Sequence, residues 1–100
     1  MGWVNDVLKE LKENKIAKVR PFGTSMRGKI ESGQLVTIEL VSYQNVNTGD
    51  IVFVKWKNNY LLHLIKEIQE DKFLIGNNLG KINGWVLGKD IIGKVTSVCD

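Results

Sequence analysis

Two side chains in this sequence have the chemistry for acyl transfer: a serine in a glycine-flanked turn and a single histidine. Ser25 sits in Pro21-Phe22-Gly23-Thr24-Ser25-Met26-Arg27-Gly28-Lys29, directly after the β-prone run Ala17-Lys18-Val19-Arg20. Gly23 and Gly28 allow backbone conformations that a side chain would forbid. A hydroxyl exposed on such a turn, with backbone N–H groups converging beside it, has the form of a nucleophile next to oxyanion donors. His63 is the only histidine. Apart from a lysine of strongly lowered pKa, no other side chain here can act as a base near neutral pH. Each residue also has a plainer reading. Gly-Thr-Ser is ordinary turn composition, and a lone histidine on an apolar strand is more often a satisfied, partly buried residue than a catalyst.

Positioning these two falls to one helix and a series of strands. Trp3, Val4, Val7, Leu8 and Leu11 form one stripe of a 3.6-residue period, which predicts a helix over residues 3–13. Asn5 or Asp6 is a candidate cap, and Asn14 a candidate stop. From Lys15 onward the pattern is β. Strands are predicted over residues 16–22, 35–40, 51–56, 60–68, 72–75 and 91–98, with Lys57-Asn58-Asn59 as the turn of a hairpin. Residues 51–56 are apolar on both faces, as in a central strand. Alternation sets Leu61, His63 and Ile65 on one face of the return strand and Tyr60, Leu62 and Leu64 on the other. The glycine- and asparagine-rich stretch through Gly84 reads as loop. The expected fold is mainly β, a compact coiled all-β domain over residues 15–100 preceded by an amphipathic helix over residues 1–14.

Composition narrows the function classes. Hydrophobic residues at 43% and charged residues at 25% are ordinary for one globular domain. The balance of 14 Lys+Arg against 11 Asp+Glu is only mildly basic and is spread along the chain, so no nucleic-acid partner is expected. Cys99 has no second cysteine to pair with, which fits a reducing, cytoplasmic setting. No recognisable ligand cluster predicts a metal, and no cofactor is expected. Gly80-Lys81 and Gly88-Lys89-Asp90 lack the spacing of a phosphate loop. No apolar run approaches the ~20 residues that span a bilayer. The stripe of Trp3, Val7 and Leu11 is a candidate surface for peripheral membrane contact or self-association.

Six short boxes occur in order: Gly23-Thr24-Ser25-Met26, Ser32-Gly33-Gln34-Leu35-Val36, Thr48-Gly49-Asp50-Ile51-Val52, Leu61-Leu62-His63-Leu64-Ile65, Leu74-Ile75-Gly76-Asn77-Asn78 and Asp90-Ile91-Ile92-Gly93-Lys94-Val95. In order and spacing they resemble the LexA-like repressor and type I signal peptidase superfamily of serine peptidases, over about residues 18–98. The resemblance implies that Ser25 is the nucleophile and His63 the general base, similar to the histidine type of the superfamily. It implies that Met26 shapes the site and that backbone N–H groups around Gly23, Thr24 and Ser25 form the oxyanion hole. An extended peptide substrate would lie beside Val19, Arg20, Pro21 and Phe22 as an added strand.

The sequence departs from that pattern. Leu64 stands where the histidine type has arginine, and Asn77 stands where it has aspartate. Asn77 is therefore the candidate third member, able to hold a ring N–H through its side-chain oxygen. Neither the Ala-Gly nor the Cys-Gly bond of self-cleaving repressors occurs, so self-cleavage is not expected. Nor is an anchored export peptidase. Two principal readings follow: a serine peptidase working through Ser25 and His63, or an inactive peptide-binding or adaptor module with the same fold.

Overall fold

A computed structural model describes residues 2–21, 26 and 28–100, leaving aside the side chains of Gly2 and Trp3. Helix α1 (Gly2–Asn14) is followed by strands β1 (Ile16–Val19), β2 (Leu35–Leu40), β3 (Ile51–Trp56), β4 (Asn59–Gln69), β5 (Lys72–Gly76), β6 (Ile82–Leu87) and β7 (Ile91–Cys99). The seven strands form one sheet in the order β1-β2-β7-β3-β4-β5-β6. Every pairing is antiparallel.

The helix forms because its apolar stripe has a sheet to cover. Val4, Val7 and Leu11 are buried together with Ala17, Val19, Val36, Ile38, Phe53, Leu62 and Leu64. Val7 and Leu11 are only 1% and 2% exposed, so they are not available as a membrane or self-association surface. The Trp3 side chain lies outside the described residues. The helix starts at Gly2, which places Asn5 and Asp6 inside it rather than at its cap. It stops where Lys15 takes a left-handed conformation (φ 64°). The Lys15 N–H still donates to Leu11 O at 3.0 Å, while its own carbonyl accepts from Leu40 N–H at 2.9 Å. One residue thus ends the helix and ties it to β2.

β3 is central, between β7 and β4. Its two faces feed two apolar layers: Phe53 joins the helix-side layer, while Val52 and Val54 join Val46, Ile65, Phe73, Ile75, Val86 and Ile91 in a second one. The sheet coils around this second layer. Trp56 of β3 and Gly84 of β6 stand three places apart in the strand order, yet a Cβ on Gly84 would lie 2.8 Å from the Trp56 ring.

That contact explains the strand that sequence periodicity leaves out. Asn83-Gly84 reads as a loop dipeptide, but Gly84, at φ 150°, is the residue over which the Trp56 ring closes. β6 accordingly runs through it. The first strand is shorter than expected, ending at Val19, and Asn59 belongs to β4 rather than to the hairpin turn. Among the described residues no helix is long and apolar enough to cross a membrane.

Candidate active site

His63 is carried by β4, opposite Val52 of β3. Its neighbours Leu62 and Leu64 point into the helix-side layer, and His63 alternates with them, as Leu61 and Ile65 do. The side chain is 6% exposed. Its Nδ1 lies 2.5 Å from the carbonyl oxygen of Leu62. A carbonyl can only accept, so Nδ1 carries the hydrogen and the neutral ring keeps its lone pair on Nε2. Burial is the main reason the His63 pKa falls below its ordinary 6.5; the Leu62 hydrogen bond opposes the shift, and the positive charges of Lys81 and Lys66 add to it. The ring is therefore held neutral, in one tautomer, with a basic nitrogen at the far end.

The loop from Asn77 to Lys81 joins β5 to β6. The Asn77 N–H donates to Lys81 O at 2.9 Å, and its side-chain oxygen accepts from Leu79 N–H at 2.8 Å and from Lys81 N–H at 2.9 Å. A carbonyl oxygen has two lone pairs, and both are directed at this loop. The expected role of Asn77, holding a ring N–H of His63, is filled at Nδ1 by the Leu62 backbone instead. Asn77 acts on the loop, closing it on itself between β5 and β6.

Beside this loop lies the turn that follows Ser25. Ser25 itself, with Phe22, Gly23 and Thr24, lies outside the described residues. Met26 is buried in the helix-side layer together with Ile30. Its carbonyl accepts from Lys29 N–H at 3.0 Å and Ile30 N–H at 2.8 Å, a single tight turn. Gly28 has φ 98°, and its N–H donates to Glu31 Oε2 at 2.7 Å. A Cβ on Gly28 would sit 2.7 Å from Asn78 Nδ2, so the turn rests against the 77–81 loop with no room between them. The turn touches the loop at Asn78, and the loop acts on His63 through Lys81.

At the expected substrate strand, β1 is the outermost strand, paired on one side only. Arg20 leaves it to donate to Gly33 O at 2.8 Å, and the Pro21 carbonyl accepts from Gly33 N–H at 3.0 Å. A cleft of about 700 Å³ runs between α1 and this edge, with Glu10, Glu13, Lys18, Val19 and Arg20 among its walls. Among the described residues no three His, Cys, Asp or Glu side chains converge as a metal site would require. Two features of the site have no signature in the sequence: the Leu62 carbonyl as partner of the ring, and the two lysines beside it.

A model of Peptidase S24-like proteins matches residues 3–96. No curated protein matches the chain.

Proposed function

Because the chain belongs to the Peptidase S24-like family, we propose that it is a serine peptidase in which Ser25 and His63 cleave an extended peptide. The single observation that carries this reading is the state of His63: neutral, fixed in one tautomer by Leu62 O, with Nε2 left as the basic nitrogen. In the reaction, Ser25 Oγ attacks the peptide carbonyl while His63 Nε2 takes the hydroxyl proton. Backbone N–H groups around Gly23 and Ser25 would receive the developing oxyanion. As the tetrahedral intermediate collapses, the C–N bond breaks and the proton passes from Nε2 to the departing amine. Water, deprotonated by the same nitrogen, then opens the acyl-enzyme and restores the serine. Throughout, the Nδ1–H···O bond to Leu62 supports the imidazolium, in the place where a carboxylate would do so more strongly.

The substrate strand would add to the open edge of β1 near Val19 and Arg20, hydrogen-bonding through its backbone. We also propose a reducing, cytoplasmic setting, supported by Cys99 being the one cysteine of the sequence. A second reading, a peptide-binding module without turnover, is favoured by one observation. Asn77 stands where the family resemblance expects an aspartate, and its side-chain oxygen is committed to the loop rather than to the ring.

Covalent labelling with a fluorophosphonate separates the two. Labelling of the full chain that disappears in Ser25→Ala and falls steeply in His63→Gln supports the peptidase. A chain that stays unlabelled while binding peptide supports the module.

A further inference from the structure

β1 is an edge strand, and an edge strand presents unpaired N–H and C=O groups to any extended chain that can reach them. Ala17 and Val19 are buried in the helix-side layer, so Lys18 between them projects from the opposite face of the strand. Helix α1 touches β1 more than β2. On the helix, Asp6, Glu10 and Glu13 recur at i, i+4 and i+7, one ridge beside the apolar stripe of Val4, Val7 and Leu11. These three carboxylates line the cleft between helix and edge together with Lys18, Val19 and Arg20. Lys9 adds one ammonium to the helix wall, which stays net negative, while the strand wall is positive.

The opposed charges do not satisfy one another. Asp6, Lys9, Glu10, Glu13 and Lys18 have no salt-bridge partner among the described residues, where Lys94 with Asp50 is the pair found. Arg20 gives an Nη1–H to Gly33 O at 2.8 Å. The cleft volume of about 700 Å³ lies within the ~300–1,000 Å³ typical of ligand clefts. β1 leads through Arg20 and Pro21 into the segment that carries Ser25.

We propose that this cleft takes an extended peptide of alternating charge, with basic side chains toward Asp6, Glu10 and Glu13 and acidic ones toward Lys18. The inference rests on the reading above, that a peptide strand adds to β1, and it supplies the class of peptide. Successive side chains of a strand point to opposite faces. A strand lying beside β1 therefore sends every second side chain to the helix wall, and those between to the face that carries Lys18. Charge sorted in this way favours one sequence pattern over another of the same composition. The opposite-sign contacts form without first breaking an ion pair.

The test is binding rather than turnover, and it compares two blocked peptides of one composition: Ac-Ala-Lys-Glu-Lys-Glu-Ala-NH2 and Ac-Ala-Lys-Lys-Glu-Glu-Ala-NH2. Each is titrated into isotope-labelled full chain, with NMR shifts read along β1 and α1. The alternating peptide should bind about 3–10-fold more tightly, with shifts at Lys18 and Val19 on the strand and at Glu10 and Glu13 on the helix. That advantage should vanish in Glu10→Gln/Glu13→Gln and in Lys18→Gln, whose unchanged amide spectra elsewhere report an intact fold. It should also shrink as salt rises from about 0.05 to 0.5 M. Equal or absent binding of the two peptides, shifts confined to other residues, or an advantage that survives in the variants would overturn the proposal. Cleft shifts that grow with protein concentration in the absence of peptide would overturn it too, by assigning the cleft to a second copy of the chain. Fluorophosphonate labelling of the same samples keeps the outcomes apart: a preference for alternating charge without labelling retains the cleft and rejects the peptidase, and labelling without the preference does the reverse.

Discussion

The ring of His63 is held by the carbonyl of the residue that precedes it: Nδ1 and Leu62 O are 2.5 Å apart. The bond is built from one stretch of β4, so the orientation of the ring does not depend on a distant side chain. It also assigns the proton. With Nδ1 donating, Nε2 is the nitrogen that accepts, and burial keeps it unprotonated at neutral pH.

The first prediction concerns pH. His63 should titrate below 6.5 in the folded chain, observed as the shift of its ring protons by NMR. Labelling of Ser25 should rise through that lowered pKa and be flat between about pH 7 and 8. The stability effect has the same origin. The unfolded chain binds the proton more readily than the folded one, so this contribution to stability is fully present above 6.5 and is lost as pH falls through the folded pKa. His63→Gln should flatten that part of the stability profile. A wild-type His63 titrating at or above 6.5 would contradict the burial argument.

Asn77 should prove to be a loop residue. Asn77→Ala removes the acceptor for two N–H groups and is expected to cost about 1–3 kcal/mol in urea unfolding. Asn77→Asp keeps the acceptor and should leave both the fold and the labelling rate nearly unchanged. A rise in labelling of about tenfold or more in Asn77→Asp would instead mean that a carboxylate there reaches the ring.

Gly28→Ala should damage the turn after Ser25 twice over. The left-handed backbone (φ 98°) becomes strained, and the added methyl meets Asn78 Nδ2. The expected loss is about 1–2 kcal/mol. Labelling should fall further than that loss explains, because the turn directly follows Ser25, the proposed nucleophile. A variant as stable and as reactive as wild type would show that the turn does not depend on this contact.

Leu11→Ala tests whether the helix belongs to the core. Leu11 is 2% exposed against the sheet, so truncation should cost about 2–5 kcal/mol. A change below about 0.5 kcal/mol would be the behaviour of a surface position and would return the helix to the role of a handle for partners.

Much of the architecture was legible in residue order because it rests on local patterns. The stripe of Val4, Val7 and Leu11 specifies a helix face whatever it packs against. The doubly apolar run from Ile51 to Trp56 has no way to be satisfied except in the middle of a sheet. The alternation around His63 follows from the period of any strand, and so does the separation of Leu62 and Leu64 from Leu61 and Ile65. Ser25 and His63 could be named as a candidate pair by type alone, since one hydroxyl in a glycine turn and one imidazole exhaust the obvious chemistry.

What stayed hidden depends on partners far away in the chain. β6 runs through Gly84, over which the Trp56 ring closes, a contact between distant strands that the dipeptide Asn83-Gly84 does not announce. Asn77 could be matched to a family position, but only the folded loop shows its oxygen taken by Leu79 and Lys81. Lys66 looks like any other strand lysine until the register slips by one residue and lays it across Gly76. Periodicity is set by backbone geometry and travels with the sequence. Bulges, close glycine contacts and the choice among hydrogen-bond acceptors are settled by which surfaces meet when the sheet coils.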